Sequence, residues 1–165
     1  MFKRVLSTLL VLLLSAIITP SYAYAQESFW DRCSLTWSAA DGIDKKIVKK
    51  QLKKISKINP KFYFEYNELN PAIRFDITDP YSLFNTAAAY TVVEYVEYNK
   101  TIIRSNIYMN PEFINDDFVY IHEIIHGLGS YSHSDDEKSV MFSNYLYLEK
   151  LTKSDIKFIS NLHCG

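Results

Sequence analysis

Residues His122-Glu123-Ile124-Ile125-His126-Gly127-Leu128-Gly129-Ser130-Tyr131-Ser132-His133 restrict what this chain can fold into more than any other stretch. His122 and His126 lie four apart, so a helix projects both imidazoles from one face, where they can grip a single metal ion. Glu123 sits one residue round that helix and sets a carboxylate beside the metal, in reach of a water whose proton it can accept. Gly129 can take positive φ without a Cβ clash, which lets the chain turn sharply and return His133 as a third ligand. Three neutral imidazoles with an open fourth position describe a catalytic zinc centre, whereas structural centres are closed by four protein ligands. The sequence therefore nominates His122, His126 and His133 as ligands of one zinc ion and Glu123 as the catalytic base. A chance His-Glu-x-x-His on an amphipathic helix is the bland alternative, and it leaves Gly129 and His133 unexplained.

The residues before the motif predict its helix independently. Asn115, Asp116 and Asp117 supply side-chain oxygens and negative charge at a helix start, where free N–H groups and the helix dipole favour both. Phe118, Ile121, Ile125 and Leu128 then recur at helical spacing as a core stripe, and Gly127 and Gly129 end the helix. His122 and His126 fall beside that stripe, at the border between core and cleft. A helix with a solvated outer face has no reason to set two histidines and a glutamate against its apolar side.

Upstream, residues 43–58 place Ile43, Ile47, Val48, Gln51, Leu52, Ile55 and Ile58 at helical intervals with lysines opposite, and Asn59-Pro60 stops this helix. The lysine run could suggest an anionic partner, but the wet face of an amphipathic helix accounts for it more simply. Runs at 61–66, 71–77, 89–98 and 101–109 are rich in Tyr, Phe, Val and Ile with partial alternation, which suits strands. No repeat or low-complexity linker divides the chain.

The first residues set the compartment. Lys3 and Arg4 precede an apolar run of 14 residues, Val5 to Ile18, and Ala23-Tyr24-Ala25 is a small-x-small cleavage site. That pattern is a secretory signal peptide over residues 1–25, with cleavage after Ala25. The run is short for a membrane span, which needs about 20 residues, so no stable membrane association is expected after cleavage. The secreted or periplasmic product, residues 26–165, is long enough for a single domain with a real core. Loss of Lys3 and Arg4 takes the formal charge from −1 to −3, which gives no reason to expect nucleic acid. Cys33 and Cys164 are the only two cysteines, and an even pair in an exported chain implies a disulfide. Such a bond would tie the first ordered strand to the last helix and, by loop entropy, stabilise the domain by roughly 5 kcal/mol.

The motif resembles the zinc-binding signature of the metzincin metallopeptidases, His-Glu-x-x-His-x-x-Gly-x-x-His followed by a methionine turn. His133-Ser134 and Ser139-Val140-Met141, with Met141 eight residues after the last histidine, resemble the matrixin branch in particular. Leu151-Thr152-Lys153-Ser154-Asp155-Ile156 and Leu162-His163-Cys164-Gly165 are similar to the matrixins' last helix, and Ala72-Ile73-Arg74-Phe75 and Ile107-Tyr108-Met109-Asn110 look like its sheet strands. The resemblance covers most of residues 30–165, and its specific part is 115–165. It implies an α+β, metzincin-like catalytic domain: a twisted, mostly parallel sheet with an N-terminal amphipathic helix, an active-site helix and a C-terminal helix. It further implies that Met141 floors the three histidines and that Phe142 to Tyr145 wall a substrate pocket, with Ser143 where the family has proline.

Three departures stand out. The family has two residues between the glycine and the third histidine; this chain has Ser130, Tyr131 and Ser132, which leaves Ser132 as an alternative occupant of the third ligand position. One extra loop residue costs little closure entropy, and serine is a poor zinc ligand, which favours His133. The second, structural zinc of matrixins needs three more histidines, and only His163 is left, which reads as a surface or helix-end residue. Arg32-Cys33 faintly resembles the family's latency cysteine but lacks its sequence context, so the disulfide and the latency switch both stand at this point.

These readings converge on a secreted zinc-dependent endopeptidase, monomeric and acting on polypeptides, with one catalytic Zn2+; calcium is compatible with the resemblance but has no support in the sequence. Two other functions fit the same motif. A non-hydrolytic zinc-binding domain would not need Glu123, and a zinc amidase acting on small substrates would suit a chain with no appended recognition domain.

Overall fold

Asp44 begins the first helix by accepting a hydrogen bond from the Lys46 amide at 2.8 Å, which satisfies one of the donors that a helix start leaves free. Helix α1 then runs Lys45–Ile58 and buries Val48, Gln51, Leu52 and Ile55. Ile43, expected inside the helix, precedes the cap; it is still buried, at the position that staples onto Val48. At the other end Asn59 turns out of the helix, and its side-chain amide donates to the carbonyls of Ile159 and Leu162 at 3.0 and 2.7 Å. The computed structural model describes residues 28–78, 87–144 and 150–165. The proposed signal peptide and Tyr145 lie outside the described residues.

Six strands form one sheet: β1 Phe29–Trp30, β2 Ser34–Ala39, β3 Tyr63–Tyr66, β4 Ile73–Ile77, β5 Ala89–Val96 and β6 Thr101–Met109. Their order is β1-β6-β4-β2-β3, with β5 added on β6. All pairs are parallel except β5–β6. β5 pairs with β6 over its whole length, so β1 and β4 share β6's other edge, β1 beside Thr101–Ile102 and β4 beside Ser105–Met109. Parallel neighbours need a crossover, and α1 supplies it between β2 and β3. The fold is the mixed α/β arrangement with a mostly parallel sheet that the sequence implied. β5 ends at Val96 rather than residue 98, because the turn to β6 takes Glu97–Lys100 and Lys100 adopts a φ of 55°.

Two further helices, α2 Asp117–Gly127 and α3 Lys153–Asn161, complete the domain. Leu35, Trp37, Ile73, Phe75, Ile107 and Met109 alternate toward one face of the sheet and merge with Tyr120, Ile121, Ile124 and Ile125 of α2 in a single buried cluster. Gly127 is the point of closest approach, since a Cβ there would stand 2.7 Å from Ser105 Oγ. The first and last described segments are joined beside it. Cys33 and Cys164 form a disulfide across 131 residues, and the Gly165 amide donates to Trp30 O at 2.9 Å.

Besides the hydroxyls of Ser105 and Ser130, Gln51 is buried without a partner: it is 1% exposed, and neither amide atom has a hydrogen-bond partner among the described residues. An unpaired buried polar group costs about 1–3 kcal/mol, while an apolar group of the same shape costs nothing comparable. Gln51→Met is therefore expected to stabilise the protein by about 1–3 kcal/mol, read as a higher denaturant midpoint at unchanged slope.

Candidate metal centre

Asp116 caps α2, accepting from the amides of Phe118 and Val119 at 2.8 and 3.3 Å. Asp117 adds negative charge to the first turn and pairs with Lys50 of α1. The helix thus starts from an anchored end and ends at Gly127, pressed on β6. Its buried face is apolar, and His122 and His126 emerge at the margin, one turn apart.

Each of these two imidazoles is held from behind. His122 Nδ1 lies 2.7 Å from Val140 O, and His126 Nδ1 lies 2.5 Å from Ser130 O. A carbonyl only accepts, so both Nδ1 atoms carry the proton and both Nε2 atoms present a lone pair. Those Nε2 atoms face each other at 3.0 Å, and His133 Nε2 stands 3.3 Å from that of His126. Converging lone pairs repel unless a cation lies between them. Tetrahedral zinc with bonds of about 2.0–2.1 Å needs donor atoms about 3.3 Å apart; the two separations at His126 come close to that, and the ligand atoms of all three residues lie within 4.8 Å of one another. Burial, helped by the neighbouring His126 and opposed by the Val140 bond, pushes His122 down to about 3; burial also lowers His133. Neutral imidazole is the form that binds metal.

The carbonyls are themselves fixed. Asp155, 1% exposed, completes a capping box at the start of α3 with Thr152 and also accepts from Ser139 Oγ at 2.6 Å and the Val140 amide at 3.2 Å. One carboxylate therefore ties the last helix to the turn that orients His122. Met141 is fully buried in that turn, and its carbonyl accepts from the Ser134 amide at 2.7 Å, just after His133.

Glu123 is buried beside the imidazoles, and the Thr91 hydroxyl of β5 lies 2.6 Å from its Oε2 and 3.1 Å from its carbonyl oxygen. Loss of hydration raises the carboxyl to about 7, against the lowering effect of Thr91. Both groups line a cleft of about 520 Å³ between α2, the start of β5 and residues 139–144. Phe142, Ser143 and Asn144 stand in its wall, as the sequence implied for that segment. Three of the four nominated residues form the only metal-ligand cluster found among the described residues, and Glu123 adjoins it. His163 sits apart, exposed after α3 with its ring 5.5 Å from Phe29. Sequence reading did not single out Thr91 or Ser130, and it met Asp155 only as part of a motif, although Thr152-x-x-Asp155 has readable capping-box spacing.

A sequence profile of the matrixins matches residues 60–164, more than half of the chain. The chain belongs to the matrixin family. Among curated proteins, comparison finds no match. Membership brings a zinc metallopeptidase type of function, acting on polypeptides, to a site whose donor set suits zinc. This matrixin has its longer loop accommodated: the turn at Gly129 still delivers His133 to the other two imidazoles.

His133→Ala is expected to weaken zinc binding by more than about 100-fold, beyond the 10–100-fold typical of outer-shell changes, and Ser132→Ala to leave it unchanged. Competition with a chromophoric chelator measures both; the reverse pattern would move the third ligand to Ser132.

Proposed function

We propose that this matrixin is an exported endopeptidase in which His122, His126 and His133 hold one zinc ion and Glu123 is the general base. The observation that carries the reading is the convergence of three imidazole Nε2 atoms beside a buried carboxyl in one cleft. Zinc bound there supplies a water nucleophile at neutral pH and Lewis-acid polarisation of the scissile carbonyl. Glu123 accepts the nucleophile's proton and later delivers it to the leaving amine. With its carboxyl raised to about 7 by burial, it is suited to both halves of that transfer. Thr91 orients the carboxylate through the 2.6 Å contact to Oε2.

The polypeptide is received on β5. Among the described strands β5 pairs with β6 alone, and its first residues line the cleft, where an extended chain can add as a further strand. Such pairing favours a peptide over a small amide, which has no backbone to pair. Export follows from the leader over residues 1–25 and agrees with the Cys33–Cys164 disulfide; no described helix is long and apolar enough to cross a membrane.

Glu123→Gln is expected to keep its zinc and to lose about 10²–10⁴-fold in kcat on a peptide substrate. Metal content and cleavage of a peptide mixture, measured together, check it. Activity near that of the wild type would remove Glu123 from the mechanism, and turnover of short amides in preference to peptides would overturn the endopeptidase assignment.

A further inference from the structure

The three candidate ligands are not supported alike. His122 and His126 are each steered by a carbonyl behind Nδ1. His133 is exposed, and among the described residues its Nδ1 has no hydrogen-bond partner. Its position must therefore come from the chain on either side. Downstream, the Ser134 amide is bonded to Met141 O at 2.7 Å. Upstream stands the loop 130–132, one residue longer than the family pattern and so freer in principle.

That loop is fastened by Tyr131. Its hydroxyl lies 2.5 Å from Ser28 Oγ, and its ring stacks on Tyr95 of β5 at 6.3 Å between centroids. Ser28 is 1% exposed and is itself fixed, its amide donating to Gly129 O at 3.1 Å. The fit is close: Gly129 has a φ of +104°, and a Cβ there would fall 2.0 Å from Ser28 O. Two residues on, Trp30 Nε1 donates to Gly127 O at 3.1 Å, while Trp30 O receives the Gly165 amide and Cys33 is bonded to Cys164. The segment before β2 is thus a brace, anchored at the C-terminus and pressed on the end of α2.

We infer that Tyr131 and Ser28 are positioning residues for the third ligand: the extra loop residue is used to latch the loop onto the N-terminal brace and β5, which substitutes for the missing carbonyl behind His133. The inference rests on the reading of His133 as a ligand. It gives residues 28–33, which make no hydrogen bond or ring contact with the three imidazoles among the described residues, control over metal affinity.

The test measures zinc affinity by chelator competition, and the absorption spectrum of the Co2+-substituted protein, for Tyr131→Phe, Ser28→Ala, the double variant and Ser28→Thr, beside His133→Ala. Tyr131→Phe and Ser28→Ala are each expected to bind zinc about 10-fold more weakly, in the range for outer-shell partners, and to alter the Co2+ spectrum. The double variant should lose no more than either single one, since both remove the same bond, and Ser28→Thr, which keeps the hydroxyl, should restore affinity. If Tyr131→Phe and Ser28→Ala lower metal-free thermal stability while affinity and spectrum stay at the wild-type values, the latch is only structural and the inference is overturned. If they leave affinity unchanged while His133→Ala abolishes it, the latch falls and the ligand assignment stands. If His133→Ala itself changes nothing, the ligand assignment fails and takes the latch with it.

Discussion

Two imidazoles whose Nε2 atoms stand 3.0 Å apart must be aimed at one point, and the aiming force has to come from the protein. Here it comes from hydrogen bonds made on the far side of the rings. Val140 O and Ser130 O fix the tautomer and direction of His122 and His126, which is how outer-shell partners set metal affinity in general. The carbonyls in turn depend on the turns that carry them, and the Val140 turn depends on Asp155. That carboxylate accepts four bonds from Ser139, Val140 and Thr152 while capping α3. The last helix is thereby part of the centre without touching it.

The same economy governs the rest of the domain. Gly127 lets α2 lie against β6, and the antiparallel β5 brings Thr91 to Glu123 from the opposite wall of the cleft. The carboxyl is thus dehydrated and oriented from a strand whose first residues line the same cleft. On the far side the N-terminal segment, the C-terminus and the disulfide close around the end of α2. By loop entropy that cross-link contributes about 5 kcal/mol to the stability of the whole domain.

How much of this was legible in the sequence depends on the range of each interaction. The helix of the motif, its Asp116 cap and the turn at Gly129 are local, and residue identity at fixed spacing reveals them. The amphipathic α1 was equally plain, apart from Ile43, whose apolar side chain is buried just before the cap rather than inside the helix. The central strand β2 was not delimited, because Ser34-Leu35-Thr36-Trp37-Ser38-Ala39 mixes small polar residues into a buried strand and its partners β3 and β4 lie well downstream. Thr91 and Tyr131 were invisible as site residues for a related reason: their partners Glu123 and Ser28 are 32 and 103 residues away, and a threonine or a tyrosine carries no local sign of such a contact. Spacing in sequence identified the ligands; only the folded chain shows what aims them.

Everything above turns on three imidazoles, and no other side chains of this protein, holding a single zinc ion. X-ray absorption at the zinc edge of the metal-loaded protein tests it most directly, because it counts and identifies the ligand atoms without reference to activity. Three imidazole nitrogens per zinc at about 2.0–2.1 Å, with no sulfur scatterer, are expected. Two imidazoles, or a sulfur at about 2.3 Å, would contradict the assignment.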